Sequence, residues 1–256
     1  MLKLTKYELR KNLLGIGIVA GIICVLQALF MFFCLTENLN YTSLFGGLLI
    51  IAASVSYFIV FIFGVVTYYR ELSSKSSYLI FMTPNSSLSI ITSKLLYTLI
   101  IGIGISAIFI GFGVLDIFMM AGAFGDLADA LKNFSEMLKI MGIDVVNIII
   151  NIVAGIISFL IAFFFLISLA YFAITLSSTA LQNKKIKGFI SFVLFIVFYV
   201  ILSVIASKIP HLSNPGPDAT FMEAMYAMIP QITLYFVVMV ASYIGSSVLL
   251  EKKISL

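Results

Sequence analysis

The sequence predicts an all-α integral membrane protein with six transmembrane helices and both termini in the cytoplasm. Three observations lead there. Hydrophobic residues make up 62% of the 256 residues and charged residues 10%, too little charge to cover the surface of a water-soluble domain. Six apolar segments approach or exceed the ~20 residues that cross hydrocarbon as a helix. The basic residues gather at alternate connections between those segments.

The expected spans are 13–35, 44–67, 91–118, 145–176, 188–207 and 225–250, within a single transmembrane domain covering 1–256. They are continuously apolar, whereas a membrane barrel alternates with a period of two. Six crossings put both termini on one side. That side carries Lys3, Lys6, Arg10, Lys11, Arg70, Lys75, Lys94, Lys184, Lys185, Lys187, Lys252 and Lys253, twelve of the fifteen Lys and Arg. Lys132, Lys139 and Lys208 remain for the other. By the positive-inside rule the richer side is cytoplasmic. Glu8, Glu71 and Glu251 fall inside, and the other acidic residues fall outside or at outer span ends. The net charge of +4 therefore reflects topology, and no basic soluble surface is present for nucleic acid.

The first span is too long for a signal h-region and no small-residue cleavage site follows it, so no cleavable signal peptide is expected. Cys24 and Cys34 lie ten residues apart on one helix, about 15 Å, beyond disulfide reach. Trp is absent, which leaves interfacial anchoring to Tyr41, Tyr68, Tyr69, Tyr97 and Tyr226. The excess of Lys over Arg, with abundant Ile, Phe and Asn, hints at an AT-rich bacterial genome, and the expected location is a bacterial plasma membrane.

Outside the spans, Leu2, Leu9 and Leu13 form a stripe flanked by Lys3, Lys6 and Arg10. It reads either as an amphipathic interfacial helix on the inner leaflet or as an ordinary basic flank. The outer segment 124–141 places Phe124, Leu127, Leu131, Phe134, Leu138 and Met141 on one helical face. Asp126, Asp129, Lys132, Glu136 and Lys139 fall on the other. That pattern predicts an amphipathic outer helix, a lid on the bundle in preference to a gate. The last outer loop, 208–223, is turn-rich through Pro210, Pro215, Gly216 and Pro217. It holds the one histidine, His211, which reads as solvated. Pro230 is expected to kink or break the sixth span.

Two inner connections follow. Residues 182–187 form a short polar hairpin. Residues 68–94 form a longer loop with an apolar patch, Tyr78 to Met82, framed by polar residues, the pattern of a docking surface. Within it Tyr69, Arg70, Glu71 and Leu72 precede an aromatic stretch. Thr83, Pro84, Asn85 and Ser86 then make a turn able to start a helix, and Lys94 and Leu95 open the third span. This arrangement resembles the first cytoplasmic loop of small ABC-2-type permeases of Gram-positive bacteria, including exporters of the phenol-soluble-modulin and lantibiotic-immunity kind. The six-span plan with an amphipathic N-terminal helix is similar too. The chain departs from many such permeases on the outer side: its loop between spans five and six is short.

The resemblance implies a half-transporter, two copies pairing around a central path as a homodimer, each engaging a separate cytoplasmic ABC ATPase. It implies contact with that ATPase at Arg70, Glu71, Tyr78, Leu79, Phe81, Met82 and Pro84. ATP and Mg would belong to the ATPase, with no cofactor in this chain. The cargo implied is an amphipathic peptide, and lipid is the other partner.

Residue chemistry agrees in what it lacks. There is no G-x-x-x-x-G-K-[ST] phosphate loop. Gly102, Gly104 and Ala107 mimic a dinucleotide fingerprint but lie in an apolar span, where helix packing through small residues is the expected use. Gly15, Gly17 and Gly21 read the same way. One loop histidine excludes a Ser/His pair or an H-E-x-x-H zinc site, and Asp116 and Asp144 stand at the outer ends of spans three and four, which disfavours a buried aspartyl dyad. No catalytic or metal-binding set is expected. Few polar side chains lie within spans: Gln27, Asn147 and Asn151, with scattered Ser and Thr, suited to helix glue or a polar substrate path. No charge is evident near a midplane, which argues against an ion-driven carrier. A non-transporting scaffold or sensor that recruits a cytoplasmic partner is the alternative reading.

Overall fold

The computed structural model describes residues 2–73, 86–124, 145–180, 186–213 and 221–254. These form six helices: α1 (Leu2–Leu35), α2 (Leu39–Ser73), α3 (Ser87–Phe124), α4 (Val145–Ala180), α5 (Lys187–Lys208) and α6 (Phe221–Ile254). All six are long and apolar enough to cross a membrane, and each contains one expected span. Most overrun it. The 34 residues of α1 extend about 51 Å, against a hydrocarbon core of about 30 Å. Helix therefore continues past the apolar segment wherever backbone hydrogen bonds are not interrupted by a turn signal.

The first twelve residues are helical and lead without a break into the first span, since α1 runs from Leu2. Its covered face there is Thr5 and Glu8, 2% and 3% exposed, while Leu13 of the leucine stripe is 58% exposed. Pro230 does not break the last span, since α6 continues through it. The outer helix expected over 124–141 lies outside the described residues beyond Phe124, as do residues 182–185 of the inner hairpin.

The turns explain where helices stop. Glu37, with φ 53°, ends α1: its N–H donates to Cys34 O at 3.1 Å and the Asn38 N–H donates to Phe33 O at 3.2 Å. That pair of bonds is a Schellman closure with a left-handed residue in the position that usually favours glycine. Asn38 then opens α2, its carbonyl accepting from the Thr42 N–H at 2.9 Å. Ser86 opens α3 by accepting the Ser89 N–H on its hydroxyl at 3.2 Å. Ile209 closes α5, donating to Ala206 O at 3.3 Å, and Pro210 follows where no helix can continue.

The chain divides into two compact units. One holds the described residues of 2–63 and 96–144. In it α1 and α2 run antiparallel, with the Phe63 ring over Gly15 and the Phe30 ring over Gly46. Phe33 stacks on Phe45 and Tyr41 at 5.2 and 5.0 Å beside the turn. Tyr57 donates to Ser106 Oγ of α3 at 2.6 Å, and that hydroxyl donates in turn to Gly102 O.

The second unit holds the described residues of 64–95 and 145–256. Its centre is α4, packed on α5 and α6. Phe165, Ile167, Leu169, Ala170, Tyr171, Ala173 and Ile174 are all buried, whereas Val153, Ile156, Ile157 and Phe159 are exposed, so burial is confined to the later turns of the helix. Phe165 meets Tyr235 at 4.8 Å, Phe172 meets Phe198 at 5.7 Å, and Ser168 donates to Met239 O at 2.9 Å. On α5, Phe189, Phe192, Tyr199 and Val204 are exposed, an apolar face suited to lipid.

Candidate functional site

The last turns of α2 and the first turns of α3 belong to the second unit, where they meet α4, α5 and α6. On α2, Gly64, Tyr68, Glu71 and Leu72 recur at i, i+4, i+7 and i+8, one helical face. Tyr68 is 1% exposed, with its ring stacked on Tyr171 of α4 at 4.2 Å. The Thr175 hydroxyl donates to Tyr171 O at 2.8 Å, so it accepts from the Tyr68 O–H at 2.6 Å. Tyr171 O–H donates back to Gly64 O at 3.3 Å. Two tyrosines thus join α2 to α4 by a stacked pair of rings and two interhelical hydrogen bonds.

The same face of α2 carries Glu71. On α3, Ser87, Ile90, Ile91 and Lys94 form the buried face at i, i+3, i+4 and i+7. Lys94 is drawn fully inside, 2% exposed, and its Nζ lies 2.5 Å from Glu71 Oε2. This ion pair ties together the two helix ends that bound the 74–85 connection. Next to it, Thr92 donates to Leu88 O at 2.6 Å and therefore accepts from the Tyr243 O–H of α6, also at 2.6 Å. The Ser177 and Ser191 hydroxyls join α4 to α5. The opposite side of α2 behaves differently. The Tyr69 ring lies over Gly188 at the start of α5, and Arg70 is exposed.

What this arrangement can do is mechanical. Rings, hydrogen bonds and one ion pair join the ends of α2 and α3 that flank residues 74–85 to α4 and α6.

Of the residues expected at a partner contact, Arg70 and Glu71 fall here. Arg70 projects outward, while Glu71 is engaged with Lys94. Tyr78, Leu79, Phe81, Met82 and Pro84 lie outside the described residues. Asn147 and Asn151 stand one turn apart in the first turns of α4. Gln27 lies in the other unit, where its Nε2 donates to Asp116 Oδ1. Asp116 stands four residues before the end of the third candidate span, Ser87–Met120. The small-residue reading needs a correction. Gly15 does receive a ring, but a side chain added at Gly17, Gly21, Gly102 or Gly104 would meet nothing within 4 Å.

Sequence reasoning missed the Tyr68–Tyr171–Thr175 network and the Glu71–Lys94 pairing. The available signal was a lone carboxylate and a lone amine at facing ends of consecutive spans. Among the described residues no group of three or more His, Cys, Asp or Glu could hold a metal ion. Comparison with protein-family models, curated proteins and solved structures finds no match for this chain.

Proposed function

We propose that this chain is the membrane-spanning permease subunit of an ATP-driven exporter. It moves amphipathic or hydrophobic substrates, peptides foremost, outward across a bacterial plasma membrane. ATP is hydrolysed by a separate cytoplasmic ATPase that docks on the 74–85 connection, and a second copy of the chain completes the path. The observation that carries this reading is the Glu71–Lys94 ion pair. It clamps both ends of the very loop that resembles the permease docking loop, and Tyr68, one turn earlier, locks those ends to α4. A push from an ATPase would then reach the membrane helices without dissipating in a loose hinge. The apolar spans suit a greasy cargo and an external energy source.

The test is affinity capture of the tagged protein in mild detergent, with mass spectrometry. A stoichiometric protein bearing nucleotide-binding motifs is expected. Arg70→Ala and Phe81→Ala should weaken its capture. Glu71→Gln should keep capture but lower transport per ATP hydrolysed. Recovery of the subunit alone, under conditions that preserve other membrane complexes, would overturn the exporter reading.

A further inference from the structure

Asp116 is a carboxylate in a helix long and apolar enough to cross a membrane, and no ion pair joins it to a Lys, Arg or His among the described residues. No Lys, Arg or His occurs at 12–69 or 95–124. Arg10 and Lys11 lie at least 16 residues before Gln27, about 24 Å along α1. Ionisable groups in such places are costly and mark function by default.

Gln27 is 2% exposed. Its Nε2 donates to Asp116 Oδ1, which fixes which end of the carboxamide meets the carboxylate. The other end, Oε1, is buried with no hydrogen-bond partner among the described residues. A buried acceptor without a donor bears its full desolvation cost. Among the described residues the pair thus lacks one hydrogen-bond donor and one positive charge. Asp116 is only half-buried, so the carboxylate is open on one side. Leu115, Phe118 and Met120 beside it on α3 are exposed and apolar. Gln27 lies about 12 Å along the axis from the end of α1, within reach of a headgroup entering from that side.

We propose that Gln27 and Asp116 form a recognition site for a primary ammonium group on an amphipathic molecule. The ammonium supplies charge to Asp116 and N–H donors to both residues, and the apolar body lies along α3. A bare divalent ion fits poorly, since it asks for about six oxygens and this pair offers few. The inference rests on the exporter reading only where it makes the ligand a cargo. Binding needs no ATPase, so its failure and the failure of export are separately observed.

The experiment uses the full chain in nanodiscs of phosphatidylcholine and phosphatidylglycerol, which bear no primary amine. N-Dansylcadaverine is titrated in and its fluorescence read. Saturable binding is expected. It should weaken about tenfold or more for the neutral N-acetyl derivative and for the trimethylammonium derivative, which keeps charge without N–H donors. Asp116→Asn and Gln27→Met should each cause a similar loss. Asp116→Asn still accepts from Gln27, so it separates charge from folding, and an unchanged gel-filtration profile checks both variants. Adding phosphatidylethanolamine identifies the source: competition at lipid concentrations means a headgroup occupies the site, and its absence means a free amphiphile does. Equal binding of all three probes, or unchanged binding in both variants, would overturn the proposal.

Discussion

Lys94 Nζ lies 2.5 Å from Glu71 Oε2, with the lysine side chain 2% exposed and the glutamate 16%. The unequal burial makes the pair asymmetric. Glu71→Gln takes the counter-charge from a fully enclosed ammonium, whereas Lys94→Met leaves a carboxylate that still reaches solvent. Breaking a buried pair from one side costs about 3–5 kcal/mol. Glu71→Gln should therefore lower the thermal unfolding midpoint in detergent more than Lys94→Met does. The double variant should recover part of the loss. Equal effects of the two single variants would count against the asymmetry.

Tyr68 contributes a ring and a hydroxyl, and the two are separable. Tyr68→Phe keeps the stack on Tyr171 and loses the bond to Thr175, whose own hydroxyl remains satisfied by Tyr171 O. The expected loss is about 1 kcal/mol. Tyr68→Ala also removes the ring and should cost about 3–5 kcal/mol. Denaturation of both variants side by side gives the difference.

The glycines should divide by what lies against them. At Gly15 an added methyl would come 2.9 Å from the Phe63 ring, so Gly15→Ala should destabilise by about 1–3 kcal/mol through overpacking. At Gly102 it meets nothing within 4 Å, and alanine is the better helix former by about 1 kcal/mol. Gly102→Ala should therefore leave the midpoint unchanged or raise it, as a thermal shift assay would report.

Glu37 closes α1 with a left-handed backbone, φ 53°, which costs an L-residue about 1–2 kcal/mol. Glu37→Gly should raise stability by up to about 1 kcal/mol, because the turn needs the conformation and not the side chain. Glu37→Val should lower it, a β-branched residue being least at ease there. Paired melting curves of the two variants would decide, and a drop with glycine would refute the account.

Much of this protein was legible in its sequence. Hydropathy is a local property, so the six helices stand where the apolar runs stand, and Ser86 caps the start of α3. Continuity past the apolar runs was not legible. Pro230 carries a signal for a kink or break, yet α6 runs through it without a break.

The tertiary structure alone decided which polar atoms meet. Glu71 and Lys94 lie at the ends of different helices, Tyr68 and Thr175 are 107 positions apart, and Gln27 and Asp116 are 89 apart. Each pairing depends on the rotation of a helix about its axis and on its register against a neighbour. The packing of Phe63 over Gly15, or of Tyr68 on Tyr171, sets those quantities. No periodicity within one segment records them, because a helix presents the same hydropathy whichever face its neighbours select.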